Sequence, residues 1–154
     1  MKIDSGLPPD LAKVADKIRE LEDIGYDGAS CAEMNHDPFM PLAIAAEHSE
    51  KIEIKTGIAV AFARSPMILA NLSHDLNAYS KGRFTLGLGS QIKPHITKRF
   101  SMPWGKPGPQ MRELILAMRA IWANWYEGKP LEFVGEYYKH TLMTPAFTPE
   151  NIEY

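Results

Sequence analysis

Strand and helix patterns alternate along this chain, and that alternation constrains its fold more than any other feature. The clearest strand is the β-branched run from Ile52 to Val60, and the clearest helix keeps one wide apolar face from Met111 to Trp125. With the weaker patterns included, the order is β-α-β-α-β-α-β-α, followed by a hairpin over 131–138. Such alternation predicts a parallel sheet whose strands are joined by helical crossovers.

A parallel sheet of this kind is either open and doubly wound or closed into a barrel. A doubly wound nucleotide-binding sheet usually carries a glycine fingerprint after its first strand, and residues 5–9, SGLPP, do not supply one. Gly87 and Gly89 resemble the start of such a loop, but Ile92 breaks the pattern. We therefore predict an α/β fold of the (β/α)8 TIM-barrel type.

Complete barrels of this type have about 250 residues, whereas this chain has 154. We expect one domain over residues 1–154 that contains the first four strand–helix units and a terminal hairpin, the N-terminal half of a barrel. The long Pro/Gly-rich segment 91–109 is predicted to be a loop, and no further helix is expected in the tail, which ends in Pro145 and Pro149.

Composition narrows the class of protein. The net charge of -2 gives no reason to expect a nucleic-acid partner or an anionic membrane. Cys31 is the single cysteine and cannot form an internal disulfide. No apolar stretch approaches the roughly 20 residues needed to span a bilayer, and the first residues show no signal peptide. We expect a soluble cytoplasmic protein.

Four segments resemble bacterial luciferase-like monooxygenases and their deazaflavin-dependent relatives. Residues 54–66, IKTGIAVAFARSP, resemble the third-strand signature of the family, and residues 76–89, LNAYSKGRFTLGLG, resemble its D-x-L-S-x-G-R-…-L-G-x-G pattern. Residues 32–39, AEMNHDPF, stand where the family has an E-H loop after the second strand. Residues 141–145, TLMTP, resemble the coenzyme F420-dependent branch.

The resemblance implies an oxidoreductase that binds coenzyme F420, or alternatively FMN, at the C-terminal mouth of the barrel. Relatives use such a cofactor for hydride transfer or for monooxygenation of a small organic substrate. The implied cofactor-binding residues include a non-proline cis peptide at the end of the third strand, mapped to Ala59-Val60. The full implied set is His36, Ala59, Val60, Gly89 and Ser90.

His36 is the candidate catalytic residue, because an imidazole beside the ring can act as an acid or a base near neutral pH. Its alternative role is that of an exposed loop histidine. Glu33, His95 and Trp104 are candidates for the substrate pocket. Glu33, His36 and Asp37 match no established metal-ligand spacing, so no metal site is predicted. Residues 90–98 contain no acid, which argues against the acidic proton donor of some deazaflavin dehydrogenases.

Two functions follow from the expected half barrel. In the first, the chain is an oxidoreductase that is active only when the barrel is complete, and is inactive or binds cofactor weakly alone. In the second, it is a non-catalytic remnant or an assembly partner. Exposed strand edges predict closure by a second copy in a homodimer or by a missing C-terminal half.

Overall fold

A computed structural model describes residues 1–150, and it contains the predicted parallel sheet. The sheet has four strands, and every pairing between neighbouring strands is parallel; in order across the sheet they are β1 (Asp4–Gly6), β2 (Gly28–Cys31), β3 (Glu53–Thr56) and β5 (Phe84–Thr85). The parallel α/β sheet predicted from the alternation of patterns is thereby confirmed.

Within residues 1–150, four α-helices alternate with the strands, and the ends of the first helix show why it forms. The side chain of Asp10 accepts a hydrogen bond from the backbone N–H of Ala12, at 3.1 Å, and Gly25 ends the helix in the left-handed conformation with φ of 95°. Asp is a preferred residue at the start of a helix, and glycine is preferred just past its end, so both ends follow from the local sequence. The helices are α1 (Leu11–Ile24), α2 (Phe39–Glu47), α3 (Pro66–Tyr79) and α4 (Pro107–Glu127).

The third and fourth predicted strands are each interrupted. After β3 the chain breaks at Gly57-Ile58 and resumes as β4 (Ala59–Val60); after β5 it breaks and resumes as β6 (Leu88–Gly89). β4 and β6 pair in parallel as a separate two-stranded ladder. The continuous strand predicted over 52–60 was therefore wrong at its break.

The chain forms two compact units. The first contains residues 1–60 and 72–89, and the second contains residues 61–71 and, within the described part of the chain, 90–150. The second unit has its own apolar core of Ala70, Ile121, Trp125 and Leu131. No helix within residues 1–150 combines the length and the apolar character needed to cross a bilayer.

The second unit also holds the predicted hairpin, formed by β7 (Phe133–Val134) and β8 (Lys139–His140) in antiparallel pairing. Two expectations here were wrong. The segment predicted as a loop contains a π-helical turn (His95–Arg99) and the start of α4, and a short 3-10 helix (Pro145–Phe147) lies where no helix was expected.

Arg83 ties the N-terminal ends of β3 and β5 to the end of α2. Its guanidinium donates hydrogen bonds of 2.8–3.1 Å to the carbonyls of Ala46, Ser49, Ile52 and Ser80, and to the Ser49 hydroxyl. Such a fork of donors satisfies the carbonyls that a helix end leaves without partners. These hydrogen bonds fix the N-terminal edge of the sheet against the end of α2.

Glu22 completes this network. Its carboxylate accepts hydrogen bonds of 2.5–3.1 Å from the backbone N–H groups of Glu50, Lys51 and Ile52. Partial burial is the largest influence on Glu22 and raises its pKa. The three backbone donors and the positive charge of Arg83 outweigh it, so that the pKa of Glu22 lies below its ordinary value.

We therefore expect Glu22 to make stability depend on pH. Because its pKa is lowered on folding, its contribution is complete above about pH 4.3, the ordinary value, and is lost as pH falls through the folded-state pKa. The difference in melting temperature between the wild type and Glu22→Gln should be largest at pH 7 and should shrink in acid. The control is Glu20→Gln, at an exposed position of the same helix. A difference for Glu22→Gln that stays constant down to pH 3 would contradict this account.

Candidate functional site

Glu33 joins the loop after β2 to the C-terminal end of the third strand. Its side chain is 8% exposed, and its Oε2 accepts a hydrogen bond of 2.7 Å from the backbone N–H of Val60. Its own backbone N–H donates to the carbonyl of Ile58 at 3.1 Å. Glu33 was predicted to line a substrate pocket; in the structure it is buried and fixes the position of β4.

Thr56 bridges the two interrupted strands. Its buried hydroxyl donates to the carbonyl of Gly87 and accepts from the backbone N–H of Gly87, both at 2.8 Å. The Gly87 carbonyl also accepts from the N–H of Ala59 at 2.8 Å. A Cβ atom on Gly87 would lie 2.1 Å from the Thr56 carbonyl oxygen, so the close approach of the two strands requires glycine here.

The peptide between Gly57 and Ile58 is cis. The resemblance predicted a non-proline cis peptide at Ala59-Val60, and that position was wrong by two residues. Ala59 and Val60 already belong to the ladder with β6, where they pair with Leu88 and Gly89. The break in the ladder therefore falls before them.

Ile58 provides the accessible apolar surface at this strand end. Ala59 and Val60 are 0% exposed, whereas the side chain of Ile58 is 37% exposed. A Cβ atom on Gly89 would lie 2.6 Å from Cδ1 of Ile58, so the two residues are in close contact. Ile58 was not among the site residues predicted from the sequence, although a glycine inside a β-branched strand is a signal of such an interruption.

His36 lies in the exposed loop between β2 and α2. Its neighbour Asp37 caps α2 by accepting hydrogen bonds from the N–H groups of Phe39 and Met40, at 2.8 and 3.2 Å. Within residues 1–150 the His36 ring forms no hydrogen bond or ion pair. The structure therefore brings Glu33, Ala59, Val60 and Gly89 together but does not bond His36 to them.

The other three predicted residues belong to the second unit. The Ser90 hydroxyl donates to the carbonyl of Gln91 at 3.2 Å, and His95 is exposed at the start of the π-helical turn. Trp104 packs edge-on against Phe62, with ring centroids 5.9 Å apart and an interplanar angle of 76°. Trp104 also lines a cavity of about 390 Å³ within this unit. It is also lined by Gln110, Tyr137 and Tyr138, none of which was predicted from the sequence as a site residue.

Cys31, at the end of β2, is unsuited to nucleophilic chemistry. Burial, together with the negative charge of Asp37, raises the pKa of its thiol above the ordinary value. The reactive thiolate is therefore disfavoured. Across the described part of the chain, no three His, Cys, Asp or Glu side chains come together in a way that suits a metal ion.

Comparison with known proteins identifies the family. Residues 2–153 match the model of the luciferase-like monooxygenase family, and the chain belongs to this family. An uncharacterised protein of Mycobacterium tuberculosis is 57% identical over 150 residues, which are 97% of this chain and 44% of that protein. This chain thus spans less than half the length of that relative.

Two solved structures share the fold. The oxygenating constituent of 3,6-diketocamphane monooxygenase from Pseudomonas putida, in complex with FMN, has a TM-score of 0.80 and 16% identity, with 99% of this chain and 48% of that chain covered. The coenzyme F420-dependent tetrahydromethanopterin reductase from Methanopyrus kandleri has a TM-score of 0.76 and 24% identity, with 98% and 46% covered. At these identities, the likeness establishes the fold alone.

Proposed function

We propose that this chain is the N-terminal half of a luciferase-like oxidoreductase, with the first four strand–helix units of a (β/α)8 barrel and one wall of a flavin or deazaflavin site. The reaction is hydride transfer or monooxygenation of a small organic substrate. The observation that carries the proposal is the surface formed by Ile58 and Gly89 at the C-terminal strand ends, the edge where barrels of this type place their chemistry.

The residues at this edge suit a planar ring. Ile58 offers an exposed apolar side chain, and Gly89 adds none of its own beside it. The hydrogen bonds that Glu33 and Thr56 accept from the backbone N–H groups of Val60 and Gly87 hold the backbone beneath in one position. Preorganisation of this kind lowers the cost of ordering a bound cofactor. When bound, the ring supplies the redox chemistry, and the protein supplies binding and orientation.

Coenzyme F420 is the preferred cofactor in this proposal, and FMN is the alternative. Similar structures include one that depends on coenzyme F420 and one in complex with FMN. The preference for F420 rests on the resemblance of residues 141–145 to the F420-dependent branch. Residues 90–98 contain no acidic side chain that could act as the proton donor. We therefore assign the role of general acid or base to His36, whose ring is exposed and has no partner within residues 1–150.

We further propose that a second polypeptide or a second copy completes the barrel. Within residues 1–150, β1 and β5 each pair with one neighbour only, so both ends of the sheet leave backbone groups available for further pairing.

The same open edges favour a second candidate function, that of a non-catalytic assembly partner. Sedimentation at about micromolar concentration should show a dimer or larger species. A stable monomer would contradict the closure by a second copy.

Replacement of Ile58 tests the proposed cofactor surface. Ile58→Ser should weaken binding of F420 about 10-fold, since loss of a well-buried aliphatic contact with the ring removes about 1.5 kcal/mol. Fluorescence titration of the purified chain measures this change. The matched control is Ile24→Ser, because Ile24 is also exposed but ends α1 at the opposite edge of the sheet. Equal affinities of the wild type and Ile58→Ser would rule out this surface as the ring site.

A further inference from the structure

The cavity of the second unit has the size and the lining of a small-molecule site. Its volume of about 390 Å³ falls in the range of ligand pockets, which are mostly apolar with a few placed polar groups. Two aromatic side chains in edge-on contact form its apolar wall, and a buried amide with two phenols forms its polar wall. The lining includes Phe62, Arg64, Trp104, Gln110, Tyr137 and Tyr138.

Gln110 organises the polar wall. It is 5% exposed, and its Oε1 accepts a hydrogen bond from the backbone N–H of Gly105 at 3.1 Å. Its Nε2 donates to the hydroxyl oxygen of Tyr138 at 3.3 Å. The backbone N–H of Lys106 donates to the hydroxyl oxygen of Tyr137 at 3.4 Å. Both phenols are thus held by donors from the start of α4 and the loop before it.

Glu113 fixes the turn that carries the two tyrosines. Its carboxylate accepts hydrogen bonds of 2.7–3.0 Å from the consecutive backbone N–H groups of Glu136, Tyr137 and Tyr138. A Cβ atom on Gly135 would lie 2.1 Å from Oε1 of Glu113, so the carboxylate fits closely into the turn. The tyrosine rings are therefore positioned before any ligand arrives.

Each tyrosine hydroxyl retains a proton to donate. Both oxygens accept hydrogen bonds, and within residues 1–150 neither hydroxyl donates one. Burial, assisted by the nearby charge of Glu113, outweighs the hydrogen bond from Gln110 and raises the pKa of Tyr138 above its ordinary value. Tyr138 thus stays protonated at neutral pH and can serve as a donor.

We propose that this cavity binds planar aromatic compounds that carry a carbonyl oxygen. The aromatic ring packs against Phe62 and Trp104, as aromatic pairs do in edge-on or offset geometry. The carbonyl oxygen accepts hydrogen bonds from the hydroxyls of Tyr137 and Tyr138. Binding depends on the second unit alone and not on the proposed cofactor.

A pair of ligands tests the role of the carbonyl. Calorimetric titration of the full chain, without flavin, compares 2-acetylnaphthalene with 2-ethylnaphthalene, which has a similar shape but no carbonyl. The ketone should bind at least about 5-fold more tightly, because its carbonyl oxygen can accept one or two hydrogen bonds that the hydrocarbon cannot. Equal affinities, or no binding of the ketone by a folded sample, would overturn the proposal. Because no flavin is present, either result leaves the cofactor proposal to its own test.

Variants of the two tyrosines test whether their hydroxyls donate hydrogen bonds to the ketone. Tyr137→Phe and Tyr138→Phe should each weaken binding of the ketone about 3–10-fold and leave binding of 2-ethylnaphthalene unchanged. Tyr26→Phe, outside the cavity lining, is the matched control and should bind both ligands as the wild type does. Equal losses for both ligands would show a packing defect and contradict the assigned donors. If a variant does not fold, the comparison of the two ligands on the wild type still decides.

Discussion

Replacing Glu33 with alanine should lower the free energy of unfolding by about 2–3 kcal/mol. The backbone N–H of Val60 is fully buried and donates to Oε2 of Glu33 at 2.7 Å. Truncation to alanine removes that acceptor and opens a small cavity. A buried donor that loses a charged acceptor costs more than a typical hydrogen bond contributes. Urea unfolding followed by circular dichroism measures the change.

Glu33→Gln is the control for this result. Glutamine keeps the length of the side chain and an acceptor oxygen, so it should recover more than half of the loss. We also expect Glu33→Ala to weaken cofactor binding, because the displaced backbone lies directly beyond Ile58. An alanine variant as stable as the wild type would contradict the role of Glu33 in holding β4.

The second large loss of stability is expected for a substitution at Gly87. Gly87→Ala would place a methyl group 2.1 Å from the carbonyl oxygen of Thr56, a backbone atom that cannot move without separating β3 and β4 from β5 and β6. Overpacking against a rigid neighbour costs about 3 kcal/mol, and the hydrogen bonds of Thr56 would be lost with it. A fall in melting temperature of roughly 6–12 °C is expected for a chain of this size.

The control for Gly87→Ala is a glycine in an open position. A Cβ atom on Gly6, in β1, meets no other atom within 4 Å. Gly6→Ala should therefore leave stability unchanged or raise it by up to about 1 kcal/mol, because alanine reduces the entropy of the unfolded chain. Equal melting temperatures of Gly87→Ala and Gly6→Ala would refute the close approach at Gly87.

The sequence could predict those features of the fold that local patterns determine. The parallel sheet follows from the alternation of periodicities, and the ends of α1 follow from Asp10 and Gly25, whose side-chain and backbone preferences act within a few residues. The strand interruptions could not be predicted in the same way. They depend on hydrogen bonds between residues far apart in the chain, Thr56 with Gly87 and Glu33 with Val60.

In the candidate site, too, local sequence patterns predicted some features, while others depend on contacts between distant parts of the chain. The resemblance directed attention to the end of the third strand, but the exposed residue there is Ile58, while Ala59 and Val60 are buried. Alternation of apolar residues cannot show which of them a broken strand exposes. Similarly, the sequence predicts only that Tyr137 and Tyr138 belong to a short hairpin. Contacts with α4 and the residue before it bring them to a cavity.

The most direct test of the central claim is a fluorescence titration of the purified chain with coenzyme F420 and, separately, with FMN. We predict that one of the two binds with a Kd of about micromolar order, with F420 preferred, which would place a ring site on this half of the barrel. A sample that melts cooperatively and binds neither cofactor at about 100-fold higher concentration would contradict the claim that this chain carries a ring-binding wall.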